Sequence, residues 1–466
     1  MKKRKILLLN PPSDNGVLYS RDYYCSASSK ADYYWPPMDL LVLSGILKED
    51  HDISVIDSTM SNHGLDQSLN EIKEVSPEII IFVTSTPTIE KDMEFLKNIK
   101  NEIGCKIYGS GNFLYFETAR SMKDFPFLDG IILDFTSESI RDFFRGERKN
   151  ITDIVYRDGK EIIETKLSLK KDFSYPVPQH ELFPIKKYHL PHAKRRPITS
   201  MIINFGCPFK CSFCFCGKFS FRERELDNVI EELEYVKKIG VKEIYFRDYT
   251  FTVNNEYVKE LCRKMIDKKL DLTWVTSTRA DLLDKETVLL MKEAGCHTIQ
   301  IGVESGNDKV LKDFDKSVDK KKLTEGFKFC RKYGIRTLAH FILGLPGETR
   351  ETVEDTIKFA KELKCDYASF NIFIPIFGTD ARETVIEKGW LKSTELSHLD
   401  SSSDDLTVET PWLSGKDLTK LRKKAIISFY MRPGYILRMI ASTRSLGNLK
   451  EYAKNAWALV KIILKK

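Results

Sequence analysis

The residues best equipped for chemistry are Cys207, Cys211 and Cys214, a C-x3-C-x2-C set inside Gly206-Cys207-Pro208-Phe209-Lys210-Cys211-Ser212-Phe213-Cys214. Thiolates are soft ligands that suit zinc or iron–sulfur clusters. A structural zinc site takes four protein ligands, and no second Cys or His pair follows here at zinc spacing. Three thiolates on a cubane hold three irons and leave the fourth open to a substrate-like ligand. Residues 198–205, just before the set, are apolar and β-branched and are expected to form a buried strand. The cysteines then leave a strand end, where a barrel keeps its chemistry. Cys216, two residues on, reads as a neighbour of the set rather than a fourth ligand.

This spacing resembles the signature of the radical S-adenosylmethionine enzymes, and Phe213 occupies the aromatic position before their third cysteine. The resemblance implies that Cys207, Cys211 and Cys214 ligate a 4Fe–4S cluster. Its open iron would chelate S-adenosylmethionine, which one electron cleaves to a 5′-deoxyadenosyl radical. The electron would come from an external reductant of flavodoxin or ferredoxin type. Gly302-Val303-Glu304-Ser305-Gly306 resembles a second motif of the family, and implies that Glu304 lies near the ribose or methionine part of the cofactor. A carboxylate can accept two ribose hydroxyls. Gly344-Leu345-Pro346-Gly347-Glu348-Thr349 resembles a third, and places Gly344 at the adenine-side wall; Gly347 and Glu348 read equally as turn formers. Asp248 matches one member of an acidic pair the family carries after its second barrel strand. Arg279 is a candidate for carboxylate contacts or, equally, for a surface ion pair.

The elements that must position these residues form a repeating pattern. Strands are expected at 198–205, 243–246, 272–276, 298–302, 336–343 and 367–374, with helices at 226–239, 255–268, 285–294, 319–332 and 351–362. Each strand runs into polar or glycine residues. This fits a partial (β/α)6 barrel over residues 196–385, the barrel of the radical enzymes.

Residues 1–150 alternate in the same way. Strands are expected at 6–9, 53–57, 78–84, 105–108 and 130–133, and helices at 38–47, 65–75 and 89–103. Apolar strands separated by helices imply a parallel, doubly wound, Rossmann-like sheet. Ligands bind such sheets beyond the carboxyl ends of the strands, where this chain carries Ser85-Thr86 and Gly109-Ser110-Gly111. The layout resembles the cobalamin-binding domain that precedes the barrel in one radical S-adenosylmethionine subfamily. The resemblance makes Ser85, Thr86, Gly109, Ser110 and Gly111 cobalamin-site residues. Two departures stand out. Gly109-Ser110-Gly111 replaces two adjacent glycines, and Leu133-Asp134-Phe135-Thr136-Ser137-Glu138 replaces a Gly-Glu pair. The Asp-x-His-x-x-Gly motif that supplies histidine to cobalt is absent, consistent with base-off binding lacking a histidine ligand. The aromatic stretch 19–35 reads either as a lining of the substrate cavity or as an anchored surface loop.

Residues 151–195 form a connector with an Asp158-Gly159 hairpin, and its histidines, His180, His189 and His192, read as loop residues. Residues 386–466 form a helical, basic C-terminal region. From Lys420 onward there are twelve Lys or Arg against one acid, Glu451. Within it Phe429-Tyr430-Met431-Arg432-Pro433-Gly434-Tyr435-Ile436 resembles a stretch of the cobalamin-linked subgroup. The apolar runs at 436–440 and 456–464, mixed with basic residues, suit either a membrane surface or a helix packed on the barrel. The basic residues carry no motif that reads nucleic acid.

The 466 residues, 42% hydrophobic and 30% charged, fit a soluble protein of two or three domains. Ten cysteines without a regular framework point away from disulfides and toward a reducing cytoplasm. The apolar stretch at residues 6–9 ends at Asn10-Pro11-Pro12, short of a signal peptide, and no run approaches the ~20 apolar residues of a membrane span. The expectation is a cytoplasmic enzyme, membrane association through the tail remaining open. The function the resemblance implies is cobalamin-dependent methylation of an unactivated carbon, in a lipid or natural-product precursor. Its rivals are radical oxidation, cyclisation or rearrangement without methyl transfer, and a non-enzymatic metal-binding module.

Overall fold

The computed structural model describes residues 3–13, 18–21, 26–27, 33–168, 170–400 and 407–441. Two parallel sheets organise them. In the first, strands Lys5–Asn10 (β1), Asp52–Asp57 (β2), Ile79–Val83 (β3), Lys106–Ser110 (β4) and Gly130–Ile132 (β5) run parallel in the order β2-β1-β3-β4-β5. Every residue of β3 is buried, as a strand covered by helices on both faces requires. The order reverses at β1, which pairs with both β2 and β3. Helices Met38–Leu47, Leu65–Val75 and Ile89–Ile103 fall where the periodicity places them.

The hairpin assigned to the connector belongs to this sheet instead. Strands Ile154–Asp158 (β6) and Glu161–Glu164 (β7) extend it, with β6 antiparallel to β5. Ile154, Val155 and Tyr156 are buried against the sheet. A hairpin with one apolar flank needs such a surface. The first structural unit therefore reaches past residue 150, to about residue 164.

The second sheet has six parallel strands in sequence order: Ile198–Met201 (β8), Glu243–Phe246 (β9), Thr273–Thr278 (β10), Cys296–Glu304 (β11), Arg336–Leu343 (β12) and Tyr367–Ile372 (β13). Alternate residues of β12 and β13 are half-buried and buried, the signature of an inner and an outer face. The expected strand 198–205 is broken in two. The Asp248 carboxylate accepts the N–H groups of Ile203 and Asn204 at 2.8 and 2.7 Å, so they are lost to strand pairing. Asn204–Phe205 turns away and pairs with Arg222–Arg224 in a small three-stranded sheet. That break turns the chain into the cysteine loop.

The helix Gly415–Tyr430 packs over the barrel beside β13, where the Tyr430 hydroxyl donates to Ala368 O at 2.7 Å and accepts its N–H at 3.0 Å. It covers an edge that would otherwise stay open to pairing. This part of the C-terminal region is a barrel-packed helix. The basic, apolar run at 456–464 lies outside the described residues. Among the described residues no helix is long and apolar enough to cross a membrane.

One apolar core runs through both units, joining Met38, Leu43 and Tyr108 of the first to Phe205, Phe215 and Tyr245 of the barrel. The carboxyl ends of the two sheets face this contact. Beyond β4, Tyr115 and Phe116 meet Phe219 and Phe215, with ring centroids 4.7 and 5.9 Å apart. Beyond β5, Asp134 pairs with Arg222 at 2.5 Å and Phe135 stands edge-on to Phe205.

Candidate active site

Gly206, at φ +78°, starts the cysteine loop, and a Cβ there would stand 2.4 Å from Ser220 O. Only glycine fits that turn. Cys211 is buried, while Cys207 and Cys214 are half-buried at the mouth of the barrel. The loop is tied down by Ser212 N–H to Phe314 O (3.1 Å) and Ala381 N–H to Ser212 O (2.9 Å). Cys207 Sγ lies 3.6 Å from the Thr250 hydroxyl. Burial raises the Cys207 thiol above its ordinary range and pushes Cys211 up to about 11, the latter opposed by Lys316 and Arg279. Cys216 sits in the apolar core with Phe215 and Phe219, the core against which the less buried Cys207 and Cys214 pack.

Phe213 packs beside Phe314, with centroids 6.3 Å apart, against Leu345 and Phe373. It forms an apolar wall next to the third cysteine. Asp248 is buried behind the loop, and burial raises its carboxyl to about 7 against the pull of the backbone N–H groups of Asn204 and Ile203. Its visible work is to break the strand, one step removed from the cysteines.

Glu304 ends β11 in a left-handed conformation, φ +65°, at a register shift after Gly302. Its Oε1 meets Lys316 Nζ at 3.0 Å, both side chains nearly enclosed. A Cβ on Gly302 would stand 2.3 Å from that carboxylate oxygen and 3.2 Å from the ammonium. The first glycine of the motif therefore makes room for the ion pair. The second, Gly306, lies against helix Arg350–Glu362, where a Cβ would meet Thr356 Cα at 2.7 Å. Burial depresses the Lys316 ammonium, but Glu304 and Cys211 outweigh it and the net shift is upward.

Gly344, at φ +84°, lies under Leu418 of the C-terminal helix, 2.7 Å from where its Cβ would be. Glu348 Oε2 accepts the N–H groups of Gly344 and Leu345 at 2.8 and 3.0 Å. The Gly344–Thr349 motif is thus a carboxylate-locked turn at the barrel rim.

Arg279 is not on the surface. It is 5% exposed, gripped by Asp281 at 3.0 and 2.9 Å, and its Nη1 lies 3.8 Å from Cys211 Sγ. Lys316, Thr250 and Asp281 were not singled out in the sequence. Lys316 follows a short helix in a stretch of mixed charges, where nothing in its spacing distinguishes it from solvent-facing lysines. The Thr250 and Asp281 signals are equally local: each lies two residues past a recognised one.

Among the described residues no three His, Cys, Asp or Glu side chains converge as a single-ion site would need. A cubane asks for something different, with each cysteine sulfur bound to a separate iron. Three cysteines on one loop, near two cations and a hydroxyl, fit that group.

Inside the barrel, Tyr245, Gln300 and His340 form a chain across three strands: Gln300 Nε2 donates to the Tyr245 hydroxyl at 3.0 Å, and His340 Nε2 lies 3.0 Å from Gln300 Oε1. Trp35 stands edge-on to Tyr245 at 5.5 Å, beneath the Arg247 guanidinium at 4.5 Å, and Tyr33 stacks on Trp35. The end of the aromatic stretch 19–35 therefore does reach the barrel interior.

In the first sheet, the five residues assigned to cobalamin line the ends of β3 and β4, and all are buried. Ser110 donates to Asp39, Thr86 to Asn112 Oδ1 at 3.0 Å, and Ser85 and Thr88 share a hydroxyl contact of 2.9 Å. A Cβ on Gly109 would strike Leu114 and Phe82, and one on Gly111 would lie 2.2 Å from Thr84 O. Their glycines serve the loop's own packing. The residues of these loops are small and uncharged.

Comparison with known proteins agrees with this geometry. Residues 201–360 match the model of the Radical SAM superfamily. An uncharacterized methyltransferase of Pyrococcus horikoshii is 30% identical over 460 residues, covering 94% of this chain and 95% of the relative. The chain belongs to the radical SAM superfamily. This radical SAM enzyme also resembles, at 28% identity over 381 residues, an anaerobic magnesium-protoporphyrin IX monomethyl ester cyclase of Rubrivivax gelatinosus, covering 77% of this chain and 68% of the cyclase. The radical S-adenosylmethionine methyltransferase TsrM of Kitasatospora setae, solved with cobalamin and a [4Fe–4S] cluster, shares its fold. The TM-score is 0.70 at 15% identity, over 98% of this chain and 100% of TsrM. The two-unit layout is thus the fold of TsrM.

Proposed function

We propose that this radical SAM enzyme binds cobalamin against its first sheet and methylates an unactivated carbon of a small molecule held in the barrel. The observation that carries the reading is the meeting of two carboxyl edges. Tyr115 and Phe116, beyond β4, meet Phe219 and Phe215, which directly follow the cysteine loop. A cofactor on one edge and a cluster on the other would then lie on either side of this contact. When bound, the cluster supplies an electron to S-adenosylmethionine and the cobalamin supplies a carrier for a methyl group.

The chain's own residues do the rest. Cys207, Cys211 and Cys214 hold the cluster. Glu304, oriented by Lys316, accepts hydroxyls of the cofactor ribose, and Phe213 and Gly344 form walls. Trp35, Tyr245 and Phe215 help exclude water. The Tyr245–Gln300–His340 chain offers hydrogen bonds to the substrate, which favours one with polar groups over a bare hydrocarbon. Pro208 and Lys210 are exposed beside the cysteines, and there an external one-electron reductant of flavodoxin or ferredoxin type has access.

The test is metal content and product analysis after anaerobic purification with cobalamin supplied. About four irons, as a [4Fe–4S] cluster requires, with cobalt and with S-adenosylhomocysteine formed alongside 5′-deoxyadenosine, supports methyl transfer. Iron without cobalt, and 5′-deoxyadenosine alone, moves oxidation, cyclisation or rearrangement to first place, a reading the cyclase relative also favours.

A membrane contact through the C-terminal end is a separate proposal. Met431 and Leu437 are 61% and 67% exposed, with Ile427 and Ile436 beside them, and Lys416, Lys420 and Lys424 continue the exposed face. Such a basic, apolar face suits anionic lipid. Flotation with anionic but not neutral vesicles supports it, and flotation with neither overturns it.

A further inference from the structure

Arg279 is built into the cysteine site in a way that neither the turn nor the strand explains. It follows β10 directly and lies almost wholly out of water. Asp281 takes Nε and Nη2 in a two-point grip at 3.0 and 2.9 Å. Nη2 also donates to Lys316 O at 2.7 Å. The guanidinium lies over the Phe209 ring, 4.0 Å from its centroid. These contacts fix the plane and leave Nη1 aimed at Cys211 Sγ, 3.8 Å away.

Burying a guanidinium is expensive unless its charge and its donors are met. One carboxylate meets the charge. The remaining donor meets a sulfur that sits on the cluster loop, and the stacked ring belongs to the same loop. A second cation, Lys316, stands near Cys211 but is matched by Glu304. Arg279 is therefore the cation whose hydrogen bonding is directed at the cysteine itself.

We infer that Arg279 donates an N–H···S hydrogen bond to the Cys211 thiolate of the bound cluster and so raises the cluster's reduction potential. The inference rests on the assignment of Cys207, Cys211 and Cys214 as cluster ligands. Hydrogen bonds to cluster sulfurs and nearby charge are two of the determinants of iron–sulfur potentials. Reduction adds an electron to an already negative group. A donor and a positive charge stabilise that product more than the oxidised form, so the potential moves upward. Arg279 is a positioning residue in this account: it acts through Cys211, and Asp281 and Phe209 hold it there.

The experiment is a redox titration followed by electron paramagnetic resonance on the reconstituted full chain, with iron measured on the same samples. Arg279→Gln removes the charge and the aimed donor. Its midpoint should fall so that, at a fixed potential, the reduced-to-oxidised ratio is about tenfold lower, equivalent to about 59 mV for one electron. Arg279→Lys keeps the charge without the planar fork and should fall between the two. Full iron with an unchanged midpoint in Arg279→Gln overturns the inference. If that variant does not hold iron, Arg279→Lys decides, and an unchanged midpoint there also overturns it. Absence of iron from the unaltered chain would instead sink the cluster assignment, and with it the proposed function.

Discussion

Glu304 and Lys316 form an enclosed ion pair, Oε1 to Nζ at 3.0 Å, between the end of one barrel strand and the loop after a short helix. Removing one partner of a buried pair leaves the other charge without compensation and costs ~3–5 kcal/mol, whereas removing both is often nearly neutral. Lys316→Met should therefore lose about 3 kcal/mol in a denaturant titration. The double variant Glu304→Gln/Lys316→Met should recover most of it. If the two losses simply add, the pair is not coupled in the folded state.

Cys216 lies only two residues beyond the third cysteine of the set, yet it is 1% exposed and packed among Phe215, Phe219 and their neighbours. Cys207→Ala, Cys211→Ala and Cys214→Ala should each lose most of the bound iron. Cys216→Ala should keep it, and should lose only about 1 kcal/mol of stability through a small cavity. Iron analysis after anaerobic reconstitution checks this, and iron loss in Cys216→Ala would make it a ligand.

The long-range order of this molecule was legible because period and spacing carry it. Six apolar strands separated by amphipathic helices give the barrel, and Cys207, Cys211 and Cys214 fall on the expected strand exit. What was not legible depends on contacts between distant segments. Nothing near Asp248 announces that its carboxylate would take the N–H groups of Ile203 and Asn204 and split a strand. The Asp158-Gly159 turn announced a hairpin, but not that β6 would find β5. Lys316 looks like any surface lysine until β11 brings Glu304 to it. Gly109 and Gly111 pointed to a ligand from sequence, whereas the fold shows that Leu114, Phe82 and Thr84 already require them to be small.

Glu348 carries a pH dependence. Burial raises its carboxyl to about 7, against the opposing pull of the Leu345 and Gly344 N–H groups. Between its ordinary 4.5 and about 7, the folded chain binds a proton that the unfolded chain has lost. Stability therefore falls as pH rises through that window, by on the order of 3 kcal/mol from this group. Gln at this position keeps an acceptor oxygen and cannot ionise. Urea midpoints of Glu348→Gln should be flatter than those of the unaltered chain from pH 5 to 7.5. Parallel curves would show that Glu348 does not change its protonation on unfolding.

Gly111 separates a packing role from a ligand role. Its φ is +142°, and a Cβ would press on the Thr84 carbonyl oxygen at 2.2 Å, backbone against which nothing flexible can give. Gly159, at φ +59°, has open space around it. Alanine at Gly159 should cost about 1 kcal/mol, the conformational term alone. At Gly111 overpacking adds to strain, and the loss should reach about 3 kcal/mol. Denaturant unfolding of the two variants measures the difference. A Gly111→Ala protein as stable as Gly159→Ala, but stripped of cobalt, would mean that the glycine is there for the close approach of a ligand. The geometry at Thr84 gives the opposite expectation, with stability lost whether or not cobalamin is present.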